Sequence, residues 1–476
     1  MNKIFILYII GFFVVSACTR DNDNLDVDMD SYNTDQIVPN EIDKWIMSNL
    51  TNPYNIEVIY RYSRNLADVS KDIAPAKLDK VQPMMEAVLR LYLEPYERVA
   101  GAKFIKTFTP KQYVLYGSVS YNSNGSVTLG TADGGRKVTL FDVNNFRKEE
   151  VDGDRGVRRK LRTIHHEFTH ILNQNVIILP EFAEVTKADY YSDWTNAANT
   201  AELAKSMGFV SRYARMVYTE DFAEMVAHLL VEGQVWFDNY VMSAPQSAQA
   251  KLRRKEELVV QYFKDAFDID FRVLQNEVQE SFKNLYNAQD PADLTQTLGA
   301  WLMDDKISSI IYTPGASHYT EYGISTTFSN LWKTFYDAVA TQTPTGNRRY
   351  LKNMELQFTS STTMMLQFGY SSSATDPAIG FYAAYNFTFE IDPATSEIKF
   401  SKVLPEPTGG SHGNGSHARF KPYFEQYMLP YFTNRVFVAD WLPSSIAEDD
   451  PLYRTFGGFY EKENPSNYFY GPVELK

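Results

Sequence analysis

Leu161-Arg-Thr-Ile-His-His-Glu-Phe-Thr-His-Ile-Leu172 is the stretch that organises this chain. It contains His166-Glu167-Phe168-Thr169-His170, an H-E-x-x-H. Leu161, Ile164, Phe168, Ile171 and Leu172 recur at helical spacing, which predicts one amphipathic helix. Positions i and i+4 share a helix face about 5–6 Å apart at Cβ, so both imidazoles can grip one small ion. Zinc suits two neutral nitrogens with one or two further ligands in a tetrahedron. Glu167 then stands beside the metal as general base for its bound water. A helix with two incidental histidines is the bland alternative. Against it, the segment lacks Pro and Gly, its flanks are mostly uncharged, and three of the chain's seven His fall within six residues. His165 is out of phase with the pair and reads as a packing or supporting residue.

Outward from this helix, 476 residues give room for two or three domains and a sizeable core. Hydrophobic content of 44% and charged content of 22% are those of a globular protein. A net charge of −13 with no basic run argues against a nucleic-acid partner.

At the start, Lys3 precedes an apolar run from Ile4 to Val15, too short to span a bilayer. It ends in Val15-Ser16-Ala17-Cys18, which resembles a bacterial lipobox. The resemblance implies a signal peptide over residues 1–18 and membrane attachment through lipid on Cys18. Cys18 is the only cysteine, so the chain has no internal disulfide and no cysteine metal site. Thr19 stands where an inner-membrane retention signal has Asp, so the expected location is the outer membrane, surface-exposed or on its periplasmic face. Residues 19–38 read as an acidic flexible tether, similar to the surface-export signals of Bacteroidetes lipoproteins. Asp26, Asp28 and Asp30 imitate a calcium loop, but Ser31 replaces the needed Gly and Ile37 the needed Glu.

Residues 39–286 are expected to form one domain. Asn40–Leu50 and Ala74–Tyr96 pattern as helices; Asn55–Tyr62, Gln112–Tyr121, Ser126–Leu129 and Arg136–Phe141 pattern as strands. The 136–142 segment is the expected edge strand for an extended substrate. After an irregular stretch at about 173–200, Thr219 is a candidate cap for a helix that ends at Gly233. Glu220 and Glu224 sit at i,i+4 on it, and either completes a His2Glu site. Periodicity does not decide which is the ligand; the other would suit a hydrogen bond to an imidazole.

Tyr213, followed seven residues on by Glu220-Asp-Phe-Ala-Glu224, resembles the distal active-site segment of the anthrax-lethal-factor-like zinc peptidases, whose clan includes the Pro-Pro endopeptidases. The resemblance implies Glu220 as zinc ligand, Tyr213 as the hydroxyl that stabilises the oxyanion, and Glu224 as a supporting residue. With the lipobox, the region from about 40 to 285 resembles the zinc-binding metallopeptidase lipoproteins of Bacteroidetes. The implied activity is zinc-dependent hydrolysis of a peptide or protein substrate.

Ser247–Leu285 patterns as helix, and Lys251, Arg253, Arg254, Lys255, Glu256 and Glu257 read as a solvated face. Residues 287–299 have linker composition. Residues 300–476 read as an antiparallel β-rich module, with strands over Asn353–Phe358, Thr362–Tyr370, Ile379–Glu390 and Glu397–Lys402. Gly409–His417 reads as a flexible loop whose two His lack a third ligand. The expected class is therefore α+β: a zincin-like domain with a small mixed sheet and active-site helices, then a β module suited to a glycan or protein partner. The competing reading is a non-catalytic binding lipoprotein of a nutrient-uptake system.

Overall fold

A computed structural model describes residues 38–133, 135–341, 348–448, 450 and 452–476. The signal-like run, Cys18 and nearly all of the acidic stretch lie outside the described residues. Residues 38–53 are a short helical segment. Its helix Glu41–Ile46 is capped by Asn40, which exchanges side-chain hydrogen bonds with Asp43 at 2.9 Å each way.

Six short strands follow: β1 (Glu57–Ile59), β2 (Gln112–Leu115), β3 (Ser120–Tyr121), β4 (Val127–Thr128), β5 (Gly130–Asp133) and β6 (Lys137–Leu140). β3 and β4 form a separate hairpin, while the others make a mixed sheet in the order β1-β2-β6-β5. β1, β2 and β6 run parallel, and β5 returns antiparallel to β6. This corrects one expectation. The 136–142 segment is interior, because Gly130–Asp133 folds back on it as the true edge. No local pattern marks the exposed strand once the chain doubles back.

The longer helices of this region are α1 (Leu78–Val88), α2 (Glu94–Phe108), α3 (Val157–Asn175), α4 (Tyr218–Glu232), α5 (Gln234–Met242), α6 (Gln246–Phe267) and α7 (Phe271–Tyr286). α3 is the H-E-x-x-H helix. It buries Leu161, Ile164, Phe168, Ile171 and Leu172, the face that periodicity selects; each such side chain contributes about 1.5–3 kcal/mol. His165 is fully buried between Tyr92 and Tyr96 and hydrogen-bonds the Leu91 carbonyl at 3.2 Å, so it packs rather than ligates. Burial lowers its pKa to about 4. α4 begins at Tyr218 after an extended Val217, and Thr219 makes no cap. Gly233 ends it at φ +87°, and Gln279 of α7 donates to the last carbonyls, Leu230 at 2.6 Å and Val231 at 3.0 Å. The expected solvated face of α6 is only partly solvated, since Lys255 and Glu256 are buried.

Eight strands close a barrel: β7 (Ile307–Tyr312), β8 (Tyr350–Phe358), β9 (Thr363–Ser371), β10 (Phe381–Ile391), β11 (Glu397–Lys402), β12 (Phe437–Asp440), β13 (Phe456–Glu461) and β14 (Asn464–Leu475). Every neighbour is antiparallel, and β14 pairs with β7 in the register Val473↔Ile310. Helix α8 (Thr326–Thr341) sends Phe328, Trp332 and Phe335 into the same core as Phe424, Phe432 and Phe469. The 409–417 segment is not a loose loop. Gly410–Ser416 is a short helix seated on β10, where Tyr385 donates to the Gly415 carbonyl at 2.8 Å and Asn414 to that of Tyr382 at 2.9 Å. The chain is α+β, and no helix among the described residues is long and apolar enough to cross a membrane.

Candidate metal centre

α3 and α4 pack against one another and supply the charged side chains of the site. The first turn of α4 carries Glu220 and Asp221, both favoured by the positive end of the helix dipole. They face opposite ways. Asp221 turns inward to a fully buried ion pair with Lys255 of α6, at 2.6 Å, and accepts from the Tyr190 hydroxyl at 2.9 Å. Lys255 also donates to the Gly208 carbonyl at 2.8 Å. Glu220, its neighbour in sequence, is thereby directed at α3.

His166 Nε2 and His170 Nε2 are 3.0 Å apart, and Glu220 Oε2 lies 3.0 Å from the first and 3.2 Å from the second. A tetrahedral zinc with bonds of about 2.0–2.1 Å separates its ligand atoms by roughly 3.3 Å. Three donors in a near-equilateral triangle of that size fit one zinc ion. Among the described residues, this trio of His and carboxylate donors converges closely enough to hold a metal. Glu224, one turn further along α4, takes the other side of His166: its Oε1 is 2.9 Å from Nδ1, and its Oε2 accepts from Ser211 at 2.6 Å. A carboxylate there fixes the ring orientation and leaves Nε2 facing the shared point.

Charge in the cluster is tightly balanced. Burial opposes a charged His166, but hydrogen bonds to Glu220 and Glu224 win and raise its pKa to about 10. Burial likewise opposes charge on Glu220, yet its two histidines hold it far below the ordinary carboxylate range. Glu224, buried as well, is drawn down to about 2 by His166 first and then by His228 and Ser211. The cluster calls for positive charge between its carboxylates, which a divalent cation supplies while the imidazoles stay neutral. Glu167 differs: burial dominates and raises its pKa, with the two histidines opposing. A backbone hydrogen bond from Ala132 of β5 reaches it.

Tyr213 stacks at a tilt 5.8 Å from the His166 ring and meets Trp194 edge-on at 5.0 Å. Burial, then the Glu220 carboxylate, raises its pKa well above the usual phenol value, so it keeps its proton for donation. These groups open into a cleft of about 600 Å³. The β3–β4 hairpin, β5 and α3 form its walls. A Cβ at Gly130 would lie 2.4 Å from Thr163 Cγ2, so the missing side chain is what lets β5 lie against α3.

Residues 35–272, half of the chain, match the model of a family described as "Putative zinc-binding metallo-peptidase". The chain belongs to this family. Among solved structures, it is similar to a protein from Bacteroides caccae titled a putative zinc-binding metallo-peptidase. The two share 26% identity over 53% of this chain and 98% of that one, with a TM-score of 0.44. No curated protein matches the chain. Within the family's span the structure brings together every site residue expected there: His166, Glu167, His170, Tyr213, Glu220 and Glu224. Sequence reading missed Trp194, Ser211, Arg162 and His228, which also line the cleft. His228 had a usable signal, falling four residues after Glu224 on the same helix face. The others come from turns or from the rotation of α3.

Proposed function

We propose that the protein is a zinc-dependent peptidase in which His166, His170 and Glu220 hold the metal. The observation that carries this is the triangle of their donor atoms, 3.0–3.2 Å on a side, with His166 and the neighbouring Glu167 lining a cleft. When bound, zinc supplies Lewis acidity to a carbonyl oxygen and to water. Glu167 accepts the proton of the attacking water and delivers it to the leaving amine; its burial suits a base of raised affinity for that proton. Tyr213, kept protonated, donates to the oxyanion that forms on the carbonyl. Glu224 orients His166. β5 is an edge of the sheet and its first residue, Gly130, lines the cleft, so an extended peptide adds there as a further strand.

The lipobox-like Val15-Ser16-Ala17-Cys18 extends the proposal to an outer-membrane lipoprotein, and the division at 287–299 to a peptidase region followed by an accessory barrel. The barrel interior is filled by aromatic side chains, so a glycan or protein partner would meet its outer surface.

The test is metal content by mass spectrometry on protein lacking residues 1–18, comparing wild type with Glu220→Gln. About one zinc per wild-type chain and clear loss in the variant is the expected result. Peptide-library cleavage by wild type, reduced about 10²–10⁴-fold in Glu167→Gln with zinc retained, then assigns the base. A wild type without zinc after reconstitution overturns the proposal in favour of a binding lipoprotein.

A further inference from the structure

The cleft wall leading away from the metal centre is cationic, which the net charge of −13 does not suggest. Arg159, Arg162, Thr163, His166 and Glu167 line it from one face of α3. Arg158, Arg159 and Lys160 occupy the first turn of α3, where the helix dipole disfavours cations and no acid precedes them in the turn. Two of the cations near this end have structural partners. Lys160 is buried against Asp142 at 3.2 Å, and Arg158 is mostly buried beside Asp152 at 2.7 Å. Arg159 and Arg162 instead reach the cleft. Their carboxylate partners, Asp154 and Glu232, do not line it, and Asp154 is almost wholly solvated. Both arginines thus line the cleft, while the carboxylates that pair with them do not.

Arg162 is also held in place. Its Nη1 lies 3.3 Å from His228 Nε2 and 3.1 Å from Glu232 Oε1. A guanidinium only donates, so His228 Nε2 accepts, and His228 donates through Nδ1 to the Glu224 carbonyl at 2.8 Å. Away from Glu167 and Glu224 at the metal centre, no carboxylate lines the cleft among the described residues; the β3–β4 hairpin contributes neutral polar groups such as Asn122 and Ser126.

We infer that Arg159 and Arg162 form a subsite for a carboxylate of the bound peptide. This rests on the peptidase reading above and names its substrate class. At about 1.5 Å per helical residue, Arg162 lies about 7.5 Å and Arg159 about 12 Å along α3 from Glu167. An extended peptide advances about 3.3 Å per residue, so the carboxylate sits two to four residues from the scissile bond. An acidic side chain and a C-terminal carboxylate offer the same chemistry to a planar guanidinium.

The test compares zinc-loaded wild type, Arg159→Ala and Arg162→Lys on peptide pairs that differ only by Glu against Gln at each of the four positions on either side of the cleaved bond. Each pair is made with a free and an amidated C-terminus. Arg159→Ala leaves only a solvated Asp154 unpaired and so tests the subsite without threatening the fold. The expected result is a preference of about tenfold or more for Glu at one position, within the range of a charge-assisted hydrogen bond, falling severalfold in Arg159→Ala and kept in part by Arg162→Lys. A preference that follows the free C-terminus instead assigns the subsite to that carboxylate. Equal cleavage of Glu and Gln peptides with both termini overturns the subsite and leaves the peptidase reading intact. If no peptide is cleaved, fluorescence anisotropy on Glu167→Gln reads the same pairs as binding. The same preference there supports the subsite, and its absence overturns it.

Discussion

The helical region that carries His166, His170 and Glu220 and the barrel that follows it are both well packed, yet they treat charge in opposite ways. The helical region buries Asp142, Lys160, His165, Asp221, His228, Lys255 and Glu256. In the barrel strands the buried polar residues are neutral, among them Ser309, Asn353, Gln367 and Asn467; among the described residues of β7 to β14, no buried side chain is ionisable as an acid or base other than tyrosine. Burial lowers the Lys255 pKa and raises that of Asp221 even though the two are paired, a sign that desolvation outweighs their attraction. Such pairs are poor glue. Their use is positional, because a buried charge tolerates one arrangement of its neighbours. A metal centre assembled from two helices needs that restriction. A barrel has its register set by the alternation of its apolar side chains and by its turns, and does not.

Substitutions probe this contrast, and the largest effect belongs to Lys255→Met. Leaving Asp221 buried and alone is expected to cost about 3–5 kcal/mol, measured by urea unfolding. Adding Asp221→Asn should restore much of the stability while zinc affinity stays weakened. A double variant that binds zinc as tightly as wild type would break the positional argument. Phe469→Ala removes a fully buried ring that packs against Phe328, Phe432 and Phe459, for about 3–5 kcal/mol. Its zinc stoichiometry, read by mass spectrometry, should not change, which would separate the two regions. Glu224→Ala should weaken zinc about 10–100-fold in a chelator competition, with little effect on unfolding of the barrel. Arg254→Ala, which breaks an exposed pair with Glu257 on the outer face of α6, should shift stability by no more than about 0.5 kcal/mol.

The same contrast explains what could be read from the residues alone. The H-E-x-x-H is a local pattern, since helix geometry fixes where i and i+4 point, and the two rings do meet, with their Nε2 atoms 3.0 Å apart. Glu220 and Tyr213 needed a motif resemblance, because nothing local distinguishes Glu220 from Glu224 on one helix face. Lys255 was misread as solvated for a physical reason: lysine is seldom buried, and its partner Asp221 lies on a different helix. The β-rich character of 350–402 was visible in alternation, and β8 to β11 fall close to the expected ranges. Closure of the barrel was invisible. It depends on β7 meeting β14, and neither strand carries a mark of the other.

That closure also governs the order of events as the chain folds. Ser309 of β7 and Glu474 of β14 are joined by a hydrogen bond although 165 residues separate them. A contact of such separation forms late, because the entropy of closing so long a loop is lost before any pairing rewards it. Until then β7 and β14 offer bare backbone edges to any passing strand. Until those two strands meet, the barrel is the more aggregation-exposed part of the molecule.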